Sequence, residues 1–93
     1  MRKTVAIEGR VTIDNSPAMR KKLADALGLK PEELTLDFSR VTYIETSGLA
    51  TLVEASRIAH QQGTRLVLSG MQGQAQFLLK VTDLDHFFDI VSE

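Results

Sequence analysis

The sequence predicts an α/β fold: a single sheet, mixed but mostly parallel, with helices packed on it. Three observations carry that prediction. Apolar residues recur at every second position in some segments and at every third or fourth in others. The two periods alternate along the chain in the order β, α, β, α, β, α, β. The 93 residues, 43% of them hydrophobic, suit one domain, expected over residues 1–93.

Thr4 to Ile13 reads as β structure, because Val5, Ile7, Val11 and Ile13 alternate with polar residues. Gly9-Arg10 marks a bend or bulge between two short strands. Asp14-Asn15-Ser16-Pro17 is a helix start: Asn15 or Ser16 can cap free amides, and Pro17 suits the first helical position. Met19, Leu23 and Leu27, with Ala26 beside them, form an apolar stripe opposite Arg20, Lys21, Lys22 and Asp25. Gly28 is the expected terminator of this helix.

Leu34, Leu36 and Phe38 alternate with Thr35 and Asp37, and Val41, Tyr43 and Ile44 extend this second strand region. After Glu45-Thr46-Ser47-Gly48 the period becomes helical, with Leu49, Leu52, Val53, Ser56 and Ala59 on one face and Gly63 at the end. Arg65 to Ser69 is a third strand, and Gly70 to Gly73 a loop. Gln74 to Val81 is a short helix whose expected core positions are Phe77, Leu78 and Val81. Leu84, Phe87, Phe88, Ile90 and Val91 close the chain in a turn and strand. The uncovered side of such a sheet offers a surface for a weak homodimer, so a monomer or weak homodimer is expected.

Composition narrows the function. Eleven basic and twelve acidic residues are interspersed, for a net charge of −1. No basic stripe is present to offset nucleic-acid phosphates, so no nucleic-acid partner is expected. The absence of cysteine excludes disulfides and thiolate chemistry and fits a cytoplasmic setting. No apolar run approaches the ~20 residues that span a bilayer, and no apolar signal core opens the chain. Direct membrane insertion is therefore not expected.

Catalytic and metal constellations are weak. His60 and His86 stand apart in sequence without ligand-spaced neighbours, so no metal is expected. Asp83 and Asp85 read as a turn around Leu84. Ser47 lies outside any Gly-x-Ser-x-Gly elbow, and Gly70-Met-Gln-Gly73 lacks the Lys-Ser/Thr of a phosphate loop. No catalytic residue, no cofactor and no enzymatic activity are expected.

The informative stretch runs from Asp37 to Leu52. A strand switches abruptly into a helix at Thr46-Ser47-Gly48. Strand carboxyl ends are where open α/β sheets meet their ligands, and a helix N-terminus there presents free amides and partial positive charge. The simplest reading of the Thr46 and Ser47 hydroxyls is that they cap that helix, a contribution of about 1 kcal/mol. The simplest reading of Gly48 is close helix–sheet packing.

Tyr43-Ile-Glu-Thr-Ser-Gly-Leu49 resembles the signature of STAS domains, the fold shared by sulfate-transporter tails and bacterial anti-sigma-factor antagonists. Leu36-Asp-Phe-Ser39, Gly9-Arg-Val-Thr-Ile-Asp14 and Gly63-Thr-Arg-Leu-Val-Leu-Ser-Gly70 resemble the family's flanking elements in the same order. The resemblance implies a STAS-type fold and a regulatory protein-interaction module. In antagonists, the hydroxyl residue after the acidic one is phosphorylated by a partner serine/threonine kinase, the anti-sigma factor. It therefore implies a phosphoprotein in transcription regulation, carrying one phosphate on Thr46, with Ser47 as the less favoured alternative. Partner binding would fall on Glu45, Thr46, Ser47, Gly48 and Leu49. The acidic-Thr-small-Gly-Leu pattern also resembles the accessory STAS subunit that docks on the ATPase of phospholipid-trafficking ABC transporters.

Overall fold

A computed structural model describes residues 1–91. Residues 92 and 93, the end of the expected domain, lie outside the described residues. The elements are β1 (Arg2–Val11), α1 (Ser16–Gly28), β2 (Glu33–Ile44), α2 (Thr46–Gln62), β3 (Arg65–Ser69), α3 (Gly73–Val81), a 3₁₀ turn (Asp85–Phe87) and β4 (Asp89–Val91). The four strands form one sheet in the order β1-β2-β3-β4. Each neighbouring pair is parallel, so the sheet is wholly parallel where a mixed one was expected.

The order has a simple consequence. Each strand is followed by a helix and then by the next strand in line. Right-handed crossovers that all advance in one direction put every helix on the same face. That face holds the core: Leu34, Leu36, Phe38, Leu66 and Leu68 of the sheet pack with Leu23 and Leu27 of α1, Leu52 of α2 and Leu79 of α3. The opposite face carries no helix among the described residues. Parallel sheets are usually covered on both sides, and here the uncovered side is largely polar. Thr4, Thr35, Val67 and Asp89 share one level on it, and Ala6, Asp37, Ser69 and Val91 the next. Arg65 donates to Asp89 and Glu33 across it, and the Arg10 guanidinium lies 4.8 Å from the centre of the Tyr43 ring.

Several local expectations are corrected. Thr4–Ile13 is not two strands: β1 is continuous to Val11, and its pairing with β2 slips between Ala6 and Glu8 and again between Gly9 and Arg10. Gly9, at φ 71°, supplies the left-handed conformation that such an irregularity needs. Ile13 lies beyond the strand and is 70% exposed. Asn15 occupies the N-cap position of α1 but makes no side-chain cap. Its amide instead accepts from the Thr12 N–H and donates to the Arg10 carbonyl, closing the loop that precedes the helix. Gly28 is the last helical residue; the left-handed residue is Lys30, at φ 51°. Gly63, at φ 77°, does terminate α2 as expected.

The largest difference concerns α3. Its buried residues are Ala75 and Leu79, whereas Phe77 and Val81 are 65% and 59% exposed and Leu78 is half-buried. Both sets recur every four residues, so the apolar spacing did not choose between them. On α2 the inward face carries Ala55 in place of the expected Ser56, whose hydroxyl donates to the Phe87 carbonyl.

Candidate functional site

The site lies where β2 ends and α2 begins. Glu45 is the residue between them, extended, at the N-cap position and itself half-buried. Two hydrogen bonds fix it to the end of β1 and to the loop that follows. Its backbone N–H donates to the Val11 carbonyl at 2.8 Å, and its Oε1 accepts from the Ile13 N–H at 3.0 Å. The carboxylate is therefore not a helix cap. It holds the loop that presents Ile13, and so brings an exposed isoleucine beside the start of α2.

Thr46 is the first helical residue and is exposed. The capping expectation is corrected at both hydroxyls. The N-cap residue is Glu45, with no side-chain cap, and among the described residues the Thr46 hydroxyl makes no hydrogen bond. The Ser47 Oγ is buried and has no partner either. The carbonyl of Glu45 accepts from the Gly48 and Leu49 N–H groups. Among the described residues the N–H groups of Thr46 and Ser47 are thus the free donors of the first turn, as at helix N-termini generally.

Gly48 and Leu49 serve the interior. A Cβ at Gly48 would stand 2.7 Å from Ile44 Cγ1 and 2.8 Å from Val11 Cγ1, so only glycine lets α2 approach the sheet this closely. Leu49 is 3% exposed. Of the five residues expected to meet a partner, these two lie beneath the surface, whereas Glu45, Thr46 and Ser47 keep exposed or half-buried surface.

Two side chains that sequence reasoning missed steady this junction from the other side. Gln74, at the start of α3, accepts from the Ile44 N–H and donates to the Ile44 carbonyl, both at 2.9 Å. It pairs with the strand end as another strand would. Gln72 donates to the Ser39 carbonyl at 2.7 Å. Gly70 lies against the Ser39 backbone so closely that a Cβ there would stand 2.7 Å from Ser39 N. Asp37 Oδ1 accepts from the Ser39 N–H at 2.9 Å, and this bond, with the Ser39 side chain assisting, holds the Asp37 carboxyl below the ordinary aspartate range. No short-range pattern marks Gln72 or Gln74, because their partners lie some 30 residues away.

Asp83, Asp85 and His86 come within 4.8 Å of one another in an exposed turn. His86 Nε2 lies 3.2 Å from Asp83 Oδ1, and Asp83 adopts φ 58°, so the cluster is accounted for by the turn expected at Leu84. No helix among the described residues is long and apolar enough to cross a membrane.

A parallel four-stranded sheet, helices on one face and a strand end running into a glycine-tight helix start define an α/β module of the STAS type. The family model described as "Mlab, STAS domain" matches residues 2–92, and the chain belongs to the STAS domain family. The proposed sulfate transporter YvdB of Bacillus subtilis (strain 168) is 30% identical over 90 residues, 90% of this chain. The chain spans 17% of that relative's length. A proposed anti-sigma factor antagonist of Thermotoga maritima superposes with a TM-score of 0.84 at 20% identity, over 97% of this chain and 79% of that one. An anti-sigma factor antagonist of Mycobacterium paratuberculosis gives 0.85 at 18%, over 94% and 74%. The STAS domain of a Vibrio cholerae SulP transporter gives 0.76 at 17%, over 99% and 73%. At these identities the likeness is one of fold.

Proposed function

We propose that this chain is a non-enzymatic, cytoplasmic regulatory module that docks on a protein partner through the Glu45–Ser47 junction and Ile13, and that phosphate on Thr46 controls the docking. The partner class is an anti-sigma factor with serine/threonine kinase activity, as the resemblance of Tyr43–Leu49 to the antagonist signature implies. One observation carries the reading: the Thr46 hydroxyl is exposed and makes no hydrogen bond among the described residues, at a helix end where a cap would ordinarily explain it. Phosphorylation adds about −1.5 to −2 charges. Free Thr46 and Ser47 amides can accept that charge without unfolding the helix. Bulk and charge then stand beside the Glu45 carboxylate, in the middle of the surface a partner would cover, and repel it. The buried Ser47 Oγ is poorly placed for a kinase, which favours Thr46.

A second reading is favoured by the Mlab description of the matching family model: an accessory subunit docked on the ATPase of a lipid-trafficking ABC transporter. Thr46 would then be a packing contact in a constitutive complex. Affinity capture of tagged wild type and Thr46→Glu from native lysate separates the two. Retention of a small kinase by wild type and its loss by Thr46→Glu supports the switch. Capture of an ABC ATPase with its membrane subunit supports the second reading. Equal binding of the kinase by both forms overturns the switch.

A further inference from the structure

A second surface lies on the other edge of the β1–α1 unit. Among the described residues β1 is an edge strand, paired only with β2. From Arg2 to Ala6 its pairing with β2 is regular, and the slips begin only after Ala6. Its outer edge is therefore an unbroken five-residue row. Between it and α1 run two adjoining clefts of about 350 and 190 Å³ that meet at Lys22. The floor of the larger is apolar, formed by Val5, Ala26 and Leu29, the last 55% exposed.

The edge is guarded by a lysine. Lys22 Nζ donates to the Ala6 carbonyl at 2.9 Å, so this carbonyl is turned toward the cleft and not into the sheet. Exposed strand edges are templates for pairing, and an edge lysine is a common protection. The lysine is also a recognition group. Asp25 at the cleft is held by Lys21 at 3.0 Å, and Glu8 by Arg40 at 3.5 Å. Lys3 and Lys22 have no carboxylate partner among the described residues, so the unneutralised charge along the cleft is positive.

We propose that the outer edge of β1 is a docking site for an extended, acidic segment of a partner protein, which adds as a further strand between β1 and α1. An incoming N–H takes over the Ala6 carbonyl. The displaced Lys22 ammonium pairs with a carboxylate of the same segment, and alternate apolar side chains settle on Val5, Ala26 and Leu29. Main-chain bonds supply affinity in such strand addition, and side-chain pockets supply specificity. A second copy of this chain is the poorer occupant, because it would bring Lys3 and Lys22 against a like-charged edge. This surface is separate from the Thr46 junction and does not depend on how that junction is used.

The test is titration of the full chain with a blocked peptide of alternating Glu and Val, read by amide chemical shifts and hydrogen exchange. Controls are the same peptide with a central proline and a Lys-Val version. The expected result is shifts and slowed exchange at Thr4 and Ala6, no binding of either control, and affinity about tenfold weaker for Lys22→Met. Lys22→Met keeps the aliphatic stem and loses the ammonium. Lys3→Met should weaken binding as well, and Thr46→Glu should leave it unchanged. Equal binding of the proline peptide, or shifts confined to Thr46 and its neighbours, overturns the proposal. So does a dimer of the free protein with Thr4 and Ala6 protected, which would make a second copy the occupant.

Discussion

The Glu45 carboxylate and the Ile13 amide are joined by a 3.0 Å hydrogen bond across 32 residues of sequence. The bond fastens the loop after β1 to the start of α2, so the exposed Ile13 side chain and Thr46 belong to one surface. Glu45→Ala should destabilise the protein by about 0.5–1.5 kcal/mol, the usual net contribution of a hydrogen bond whose donor can turn to water when its acceptor is removed. Glu45→Gln, which keeps an acceptor, should cost about half as much. Urea unfolding measures both, and faster hydrogen exchange at Ile13 should accompany the alanine variant. Unchanged exchange there would show that the loop is held by something else.

Thr46→Ala distinguishes a docking hydroxyl from a capping one. Loss of a cap ordinarily costs about 1 kcal/mol. With no cap to lose, stability should change by less than about 0.5 kcal/mol, while partner binding falls. Thermal unfolding of both forms beside a binding titration checks this. A full capping penalty would return Thr46 to a structural role.

Gly48→Ala should reverse the usual sign. Replacing a helical glycine by alanine ordinarily stabilises by about 0.5–1 kcal/mol. Here the added Cβ meets Ile44 and Val11 at under 3 Å. Such overpacking costs about 1–3 kcal/mol. Net destabilisation, measured by denaturant unfolding, is the expected outcome.

Gln74→Ala removes both hydrogen bonds to Ile44 and should destabilise by about 1–3 kcal/mol. Gln74→Glu keeps the acceptor for the Ile44 N–H but no longer donates to the Ile44 carbonyl when ionised. It should therefore be destabilised near neutral pH and recover as acid restores a donor. A pH series of unfolding midpoints would show the recovery; parallel curves for Glu and Ala would contradict the paired geometry.

Asp37 sets part of the acid limit. Its folded-state pKa lies below the ordinary aspartate value of 3.8, chiefly through the Ser39 N–H. A depressed carboxylate contributes stability above its unfolded pKa and loses it as pH falls through the folded value. Asp37→Asn should be less stable than wild type near neutral pH, with the difference closing below pH 3.8. Urea midpoints at several pH values provide the measurement, and a difference independent of pH would count against it.

The element order, the five residues of β3 and the terminating role of Gly63 were legible from local pattern. So was the packing role of Gly48, because a glycine opening an amphipathic helix beside a strand end has few other uses. Each depends on residues within a turn or a strand of one another. The motif at Tyr43–Leu49 likewise gave the position of the junction and the STAS fold.

Tertiary structure decided the rest, wherever two satisfactory local answers competed or the partner lay far along the chain. Ala75 and Leu79 share the four-residue spacing of Phe77 and Val81, and only docking against the sheet selects which pair is buried. Thr46 and Ser47 have the chemistry of caps, but the entry of α2 puts Glu45 at the cap position and turns its carboxylate to Ile13. The grip of Gln74 on Ile44 and the reach of Lys22 to Ala6 join elements 30 and 16 residues apart. A periodic pattern says which residues prefer to be covered. Which backbone donors and acceptors a side chain meets is set only when three right-handed crossovers bring the helices over one face of the sheet.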